Sequence, residues 1–286
     1  MANAYGTSSM AKATPQDALS TASFVRERRD VIDARKGLLI RITPDSEILL
    51  TRDGKLLGKE EPFPEWSIVL GHWNDQPIAV VEAPCDDLST ARRAHHIREC
   101  LPLLNDAERG LVATAVEVLH WRRDHRFCGR CGSTMVMDEI EYAMHCKACG
   151  HACYPRLSPC IITLITHGDE ILLARGPDFP TGRFSTLAGF IEPGEDAEQA
   201  VQREIREEVG IDVCDIVYQR SQSWPFPHSF MMGFTASAVS KDLTIDGVEI
   251  EAADWFSVDD LPELPPHGAI SRWLIEQHIA KVKAKR

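Results

Sequence analysis

The sequence predicts an α/β protein in which a β-rich N-terminal domain and a four-cysteine zinc ribbon precede a unit that mixes strands with helices. Three observations predict it: short apolar runs between turn signals, then two C-x-x-C pairs, then an acidic loop and helix set among strand-like segments. At 286 residues the chain is long enough for two or three small domains with their own cores. No run reaches the roughly 18 to 20 apolar residues needed to span a bilayer, and the N-terminus lacks a secretory apolar stretch. The C-terminal VKAKR carries no peroxisomal address, so the expected compartment is the cytoplasm, with no membrane partner.

Residues 1–20, rich in Ala, Ser, Thr and Gln without periodicity, are expected to be disordered. Residues 21–123 form the β-rich domain. LLIRI, EILLT, SIVLGHW and IAVVEA, parted by Thr-Pro-Asp, Arg-Asp-Gly and Asn-Asp-Gln-Pro, read as a β-meander. A helix over 106–123, with Leu111, Ala115, Val118 and Leu119 on one face, leads out of it. No chemistry is forced by this domain, and a structural or dimerisation role is its expected one.

Residues 124–155 are the ribbon. Cys128 and Cys131 form one pair, Cys146 and Cys149 the other, with fourteen residues between the pairs. That spacing suits two knuckles closing a tetrahedral thiolate site around Zn²⁺, structural because no position is left open. Gly129, Gly132 and Gly150 lie where knuckle turns need positive φ or close approach to sulfur. The other five cysteines are scattered and read as buried or incidental.

In residues 156–286, CIITLIT and DEILLAR read as paired strands, and FSTLAGFI enters an acidic loop. DVCDIVYQRSQSW and FMMGFTASAV read as later strands, and SRWLIEQHIAKV as a closing amphipathic helix. Within GFIEPGEDAEQAVQREIREEVGI stand six glutamates: Glu192, Glu195, Glu198, Glu204, Glu207 and Glu208. Asp196 is the expected N-cap with Gln199 three positions on, Ala197, Ala200, Val201 and Ile205 the buried stripe, and Gly210 the stop. Glu204, Glu207 and Glu208 share a helix face at spacings where like charges repel. Oxygen-only ligands of this kind suit Mg²⁺ or Mn²⁺, which favour a few carboxylates completed by water and substrate phosphate.

Gly189, Glu195, Arg203, Glu204, Ile205, Glu207, Glu208, Gly210 and Ile211 fill the pattern G-x5-E-x7-R-E-U-x-E-E-x-G-U, U being bulky and apolar. This stretch resembles the Nudix box. The resemblance implies an α/β/α sandwich whose box helix holds divalent metals and which hydrolyses a nucleoside diphosphate linked to another group.

Beyond the box comes SQSWPFPHS. Two prolines flanking Phe226 stiffen the backbone, so Trp224 and Phe226 are expected to be held out on a rigid loop. From the residues alone the loop serves equally as a platform for a flat ring or as a turn packed on the core. The segment is similar to the SQPWPFPxS signature of the Nudix NADH pyrophosphatases, with Ser223 in place of its first proline. That resemblance, which runs from about Trp121 to the C-terminus, implies a homodimer that cleaves NAD(H) to nicotinamide mononucleotide and AMP, with members that remove NAD caps from RNA. By the same resemblance Glu204, Glu208 and Glu249 match metal-binding glutamates, and Ala188 a position whose carbonyl helps hold metal. Gln222, Ser223, Trp224, Pro225, Phe226, Pro227, His228 and Ser229 match the substrate-binding signature. Phe190 and Tyr154 match aromatic positions near the nicotinamide, Tyr154 acting across the dimer interface. Glu141 and Ser271 match further substrate contacts, and Arg98 another by approximate spacing.

The expected chemistry is metal-assisted attack of water on phosphorus. Glu207 is the candidate to orient or deprotonate that water and counts with the metal-facing carboxylates; Arg203 is expected to pair with Glu195 and stiffen the loop. Two other readings stay open: a Nudix pyrophosphatase for ADP-ribose or a diadenosine compound, and an RNA-binding ribbon module carrying an inactive Nudix fold. A net charge of −12 argues against wholesale electrostatic binding of nucleic acid. Arg92, Arg93, Arg98 and the run Arg122, Arg123, His125, Arg126 remain as a local basic patch.

Overall fold

The computed structural model describes residues 24–26, 35–51, 53–83 and 93–286. The expected disorder of residues 1–20, Arg92 and the side chain of Arg93 lie outside them.

The N-terminal sheet is built from β1 (Phe24–Arg26), β2 (Lys36–Ile42), β3 (Glu47–Leu50), β4 (Glu61–Pro62), β5 (Ile68–Trp73), β6 (Gln76–Glu82) and β7 (Arg93–His96). Its order is β1-β5-β6-β2-β3-β7, with β4 on β2. The strands stand where the apolar runs predict, but the topology is not a meander. The chain between β3 and β5 crosses to the far side, and β6 then lies parallel to β2, Leu38 opposite Ile78. Asn74 and Asp75 both take positive φ, the geometry of the tight turn that joins β5 to β6. A short helix α1 (Ile97–Cys100) leads to α2 (Asp106–Asp124), whose N-terminus is closed by a capping box between Asn105 and Glu108. Helix α2 buries Leu111, Val112, Ala115, Val116 and Leu119 against the sheet, and Ile40, Leu70 and Ile78 meet it there.

The ribbon strands β8 (Met135–Met137), β9 (Met144–Cys146) and β10 (Ala152–Cys153) make a small antiparallel sheet. Cys128, Met135, Met144 and Cys146 join the same core as α2, and the Tyr142 hydroxyl donates to the Val69 carbonyl at 2.8 Å. The ribbon is therefore seated on the N-terminal domain rather than tethered to it.

The C-terminal sheet contains β11 (Ser158–His167), β12 (Glu170–Arg175), β13 (Leu187–Phe190), β14 (Val213–Trp224), β15 (Ser229–Ala238) and β16 (Ala252–Ser257). Its order is β14-β15-β11-β12-β16, with β13 on β11. Strand β11 is apolar on both faces, as a central strand covered twice must be. Ile161 and Ile165 face α3 (Ala197–Val209) together with Ala200, Val201, Ile205 and Val209. Cys160, Ile162 and Leu164 face α4 (Ile270–Lys285) through Ile270, Leu274 and Ile275. This is the α/β/α sandwich, made by the two-residue alternation of one strand. Among the described residues no helix is long and apolar enough to cross a membrane.

Candidate active site

Strand β13 runs antiparallel to β11 and delivers the chain to the acidic loop, Ala188 opposite Ile162 and Gly189 opposite Ile161. Helix α3 starts and stops as its sequence dictates. The Asp196 carboxylate accepts from the Gln199 amide, the Gln199 side chain accepts from Asp196 N–H, and Gly210 closes the helix with φ 73°.

The three box carboxylates are not equivalent. Four residues span about 400° of helix, so Glu204 and Glu208 lie nearly in line and both are buried, while Glu207 is rotated away and its side chain is 60% exposed. Arg203 organises the loop around them. Its Nε and Nη2 meet both oxygens of Glu195 at 2.8 and 2.9 Å, and Nη2 also donates to the Phe190 carbonyl at 2.9 Å. Its Nη1 reaches Glu204 at 2.8 Å and Glu207 at 3.0 Å. The expected Arg203–Glu195 pair is present and is bidentate, the geometry that makes such a pair directional.

Burial raises the pKa of Glu204 even against the charge of Arg203. Among the described residues Glu208 has no such partner, and its Oε2 is buried without a hydrogen bond. Burial first, and then the charges of Glu204, Glu249, Asp246 and Glu207, push Glu208 up to about 8. Glu249 is held by a turn in which Asp246 accepts from the Glu249 and Ile250 amides, each at 2.9 Å. An orphaned carboxylate oxygen amid neighbouring acids is a donor set that suits a divalent cation. Among the described residues these carboxylates do not converge within 4.8 Å of one another as the ribbon sulfurs do, which matches a hard cation whose shell is completed by water and phosphate.

Gly189 has a specific reason to be glycine. A Cβ there would overlap the carboxylate of Glu204. Because the obstructed atoms end a flexible side chain, Gly189→Ala should displace Glu204 rather than unfold the domain. The expected result is a fall in turnover of about 10- to 100-fold with little change in melting temperature; an unchanged rate would mean that Glu204 can move without consequence.

A cavity of about 670 Å³ opens beside these acids. It brings together Glu208, Glu249, Ala188, Gln222, Trp224, Ser271 and Arg98 from distant parts of the chain. Sequence reasoning passed over other parts of its wall: Phe179 and Arg183 in the β12–β13 connection, Ser185 and Thr186 before β13, and Met231. The segment GPDFPTGRF, in which Phe179 stands before Pro180 and Arg183 after Gly182, was the available signal.

The remaining predicted residues lie elsewhere. Phe190 is 55% exposed and Tyr154 54%, both off the cavity wall. The Tyr154 hydroxyl donates to Glu141 Oε1 at 3.1 Å, so these two ribbon-side residues do meet. The SQSWPFPHS segment is not held out in solvent: Trp224 and Phe226 are partly buried, stacked edge to face at 5.1 Å. Arg98 lies 3.9 Å over the Phe226 ring. Pro225 and Ser229 are buried, Pro227 is exposed, and His228 contacts the Ser158 hydroxyl at 3.1 Å. The loop packs because the β-rich domain, whose contacts no local spacing reveals, sits directly against it.

In the ribbon all four sulfurs lie within 4.8 Å of one another, with Cys128–Cys149 at 3.7 Å and Cys131–Cys146 at 3.5 Å. Ligand bonds of about 2.3 Å in a tetrahedron place sulfurs at such separations, so the set fits Zn²⁺. Gly132 and Gly150 take positive φ at the knuckles, whereas Gly129 has neither positive φ nor a close neighbour, so nothing there requires glycine. Of the basic run, Arg122 donates to the Trp66 carbonyl and Arg123 to that of Pro44, ties within the N-terminal domain.

Residues 155–277 match the family model described as NUDIX domain, and residues 123–154 the one described as NADH pyrophosphatase zinc ribbon domain. The chain is 45% identical over 212 residues to the NAD-capped RNA hydrolase NudC of Stutzerimonas stutzeri (strain A1501), covering 74% of this chain and 77% of that protein. It is 44% identical over 220 residues to the protein of the same name from Pseudomonas entomophila (strain L48), with 74% and 77% covered. To that of Pseudomonas aeruginosa (strain LESB58) it is 45% identical over 213 residues, with 74% and 76% covered. With box, ribbon and cavity in one chain and relatives this similar over most of its length, the protein belongs to the Nudix superfamily, in its zinc-ribbon NADH pyrophosphatase family.

Proposed function

We propose that this protein hydrolyses the pyrophosphate of NAD(H), releasing nicotinamide mononucleotide and AMP, and by the same cleavage removes NAD caps from RNA. The observation that carries the reading is the single cavity in which Glu208 and Glu249 share a wall with Trp224 and Arg98. Carboxylates for the cation that a pyrophosphate brings thus face an aromatic ring suited to a planar base or nicotinamide.

Glu204, Glu208 and Glu249, with the Ala188 carbonyl, would hold Mg²⁺ or Mn²⁺. When bound, such ions neutralise charge on the pyrophosphate oxygens and acidify water. Glu207, the box carboxylate open to solvent, orients or deprotonates the attacking water, and Arg203 Nη1 donates to it at 3.0 Å. A P–O bond forms to the water oxygen, the bridging P–O bond breaks, and the second phosphate leaves as a monophosphate. Arg98, Gln222 and Trp224 position the dinucleotide, and Ser271 lines the same wall. A homodimer completes the reading, since Tyr154 and Phe190 stand exposed outside their own cavity and are free to meet the partner's. The eight described cysteines are unbridged, in keeping with a cytoplasmic enzyme.

The test is product analysis with NADH, ADP-ribose and NAD-capped RNA in parallel, with Mg²⁺ or Mn²⁺. Nicotinamide mononucleotide and AMP from NADH, and monophosphate-ended RNA from capped RNA, are the expected products. Preference for ADP-ribose would reduce Trp224 to packing, and no cleavage of any substrate would leave a binding module.

A further inference from the structure

The end of β14 is gripped on both faces. Successive side chains of a strand point opposite ways, so Gln222 and Trp224 face the cavity while Ser223 faces away from it. On the cavity side, Gln222 Nε2 donates to the Gly268 carbonyl at 2.7 Å and its Oε1 accepts from the Ile270 amide at 2.9 Å, fixing the strand to the start of α4. On the other side the Ser223 hydroxyl donates to Glu117 Oε1 at 2.7 Å. Glu117 belongs to α2, in the N-terminal domain, 106 residues away. Trp224, next in the chain, packs at once against the core under α2 and the core under α4. The hydroxyl exists because serine replaces the proline that stiffens this position in the signature the segment resembles.

Resting on the NAD(H) reading, we propose that Glu117 is a positioning residue: through Ser223 it holds Trp224 against the cavity and thereby sets affinity for the nicotinamide half of the dinucleotide. Helix α2 suits this task. It is nineteen residues long, closed by a capping box at its N-terminus and buried along one face, so an acceptor on it is fixed relative to the sheet. The N-terminal domain then serves recognition without touching the reacting phosphates. Glu117 is half-buried and Ser223 is its side-chain hydrogen-bond partner, which makes the bond directional rather than a loose surface contact.

The experiment compares E117A, E117Q, S223A and E117A/S223A in steady-state hydrolysis of NADH and of ADP-ribose, which lacks the nicotinamide. E117A should raise KM for NADH about five- to tenfold, as loss of one hydrogen bond allows, with kcat within about twofold. KM for ADP-ribose should stay unchanged. E117Q, whose amide oxygen still accepts, should behave as wild type, and the double variant should be no worse than E117A. Additive losses, an equal rise in KM for ADP-ribose, or a fall in kcat at constant KM would overturn the proposal. Should the wild-type protein fail to cleave NADH, the functional reading falls by itself and hydrogen exchange tests the clamp. In E117A but not E117Q, exchange across residues 220–229 should quicken; unchanged exchange in E117A would sink it.

Discussion

Glu208→Gln should stabilise the protein in the absence of Mg²⁺ or Mn²⁺ while lowering turnover by about a thousandfold or more. The two effects have one cause. Glu208 titrates near 8 in the fold against an ordinary value of 4.5, because burial and the neighbouring acids disfavour its charge. A carboxyl whose folded pKa is raised contributes stability that is complete below the unfolded pKa and is lost as pH rises through the folded one. Without divalent metal the wild-type protein should therefore lose about 4 kcal/mol between pH 4.5 and 8, a window set by those two values. Glutamine has no proton to lose, so its melting temperature should be flatter across that window and higher at its upper end. If Glu208 holds the divalent cation as proposed, Mg²⁺ should reverse the order: an ion bound there would compete with the proton, stabilising the wild type increasingly with pH and the variant hardly at all. Thermal melts near pH 5 and pH 7.5, with and without Mg²⁺ and with zinc left in place, decide it. A wild-type profile no steeper than the variant's would show that Glu208 is not held neutral by its surroundings.

The second large effect is loss of the ribbon metal. Cys146→Ser should drop the bound zinc from one ion per chain to none, and the consequence should not stay local. Cys128 and Cys146 are buried in the same cluster as α2 and the N-terminal sheet, as are Met135 and Met144. Release of the four thiolates removes binding energy that is also folding energy and opens that core to water. A loss of about 3 to 5 kcal/mol is expected, lowering the melting temperature by roughly 10 °C. Because Trp224 and Phe226 pack against the same cluster, affinity for NADH should fall with it. Zinc content by elemental analysis beside a melt provides the measurement; full stability with the zinc gone would make the ribbon an appendage.

What could be read before folding was local in origin. The capping box from Asp196 to Gln199 and the stop at Gly210 follow from residues within a turn of one another, and they stand where expected. The pairing of Arg203 with Glu195 across one loop was likewise legible. So was the four-sulfur cluster, because each C-x-x-C knuckle fixes half of it. Helical spacing also placed Glu204, Glu207 and Glu208 side by side, but it could not say which would be buried. That was decided by the packing of α3 on the sheet, which leaves Glu204 and Glu208 buried and Glu207 open to solvent.

By itself, then, the sequence determined the strands, the caps, the zinc ligands and the acidic helix, since backbone hydrogen bonding and side-chain period act over a few residues. Only tertiary structure decided that β6 runs beside β2, that Arg98 covers Phe226, and that Ser223 bonds Glu117. It also decided that residues from Arg98 to Ser271 share one cavity. Those contacts join segments tens to well over a hundred residues apart, and their geometry is set by the packing of whole domains, which no local spacing encodes.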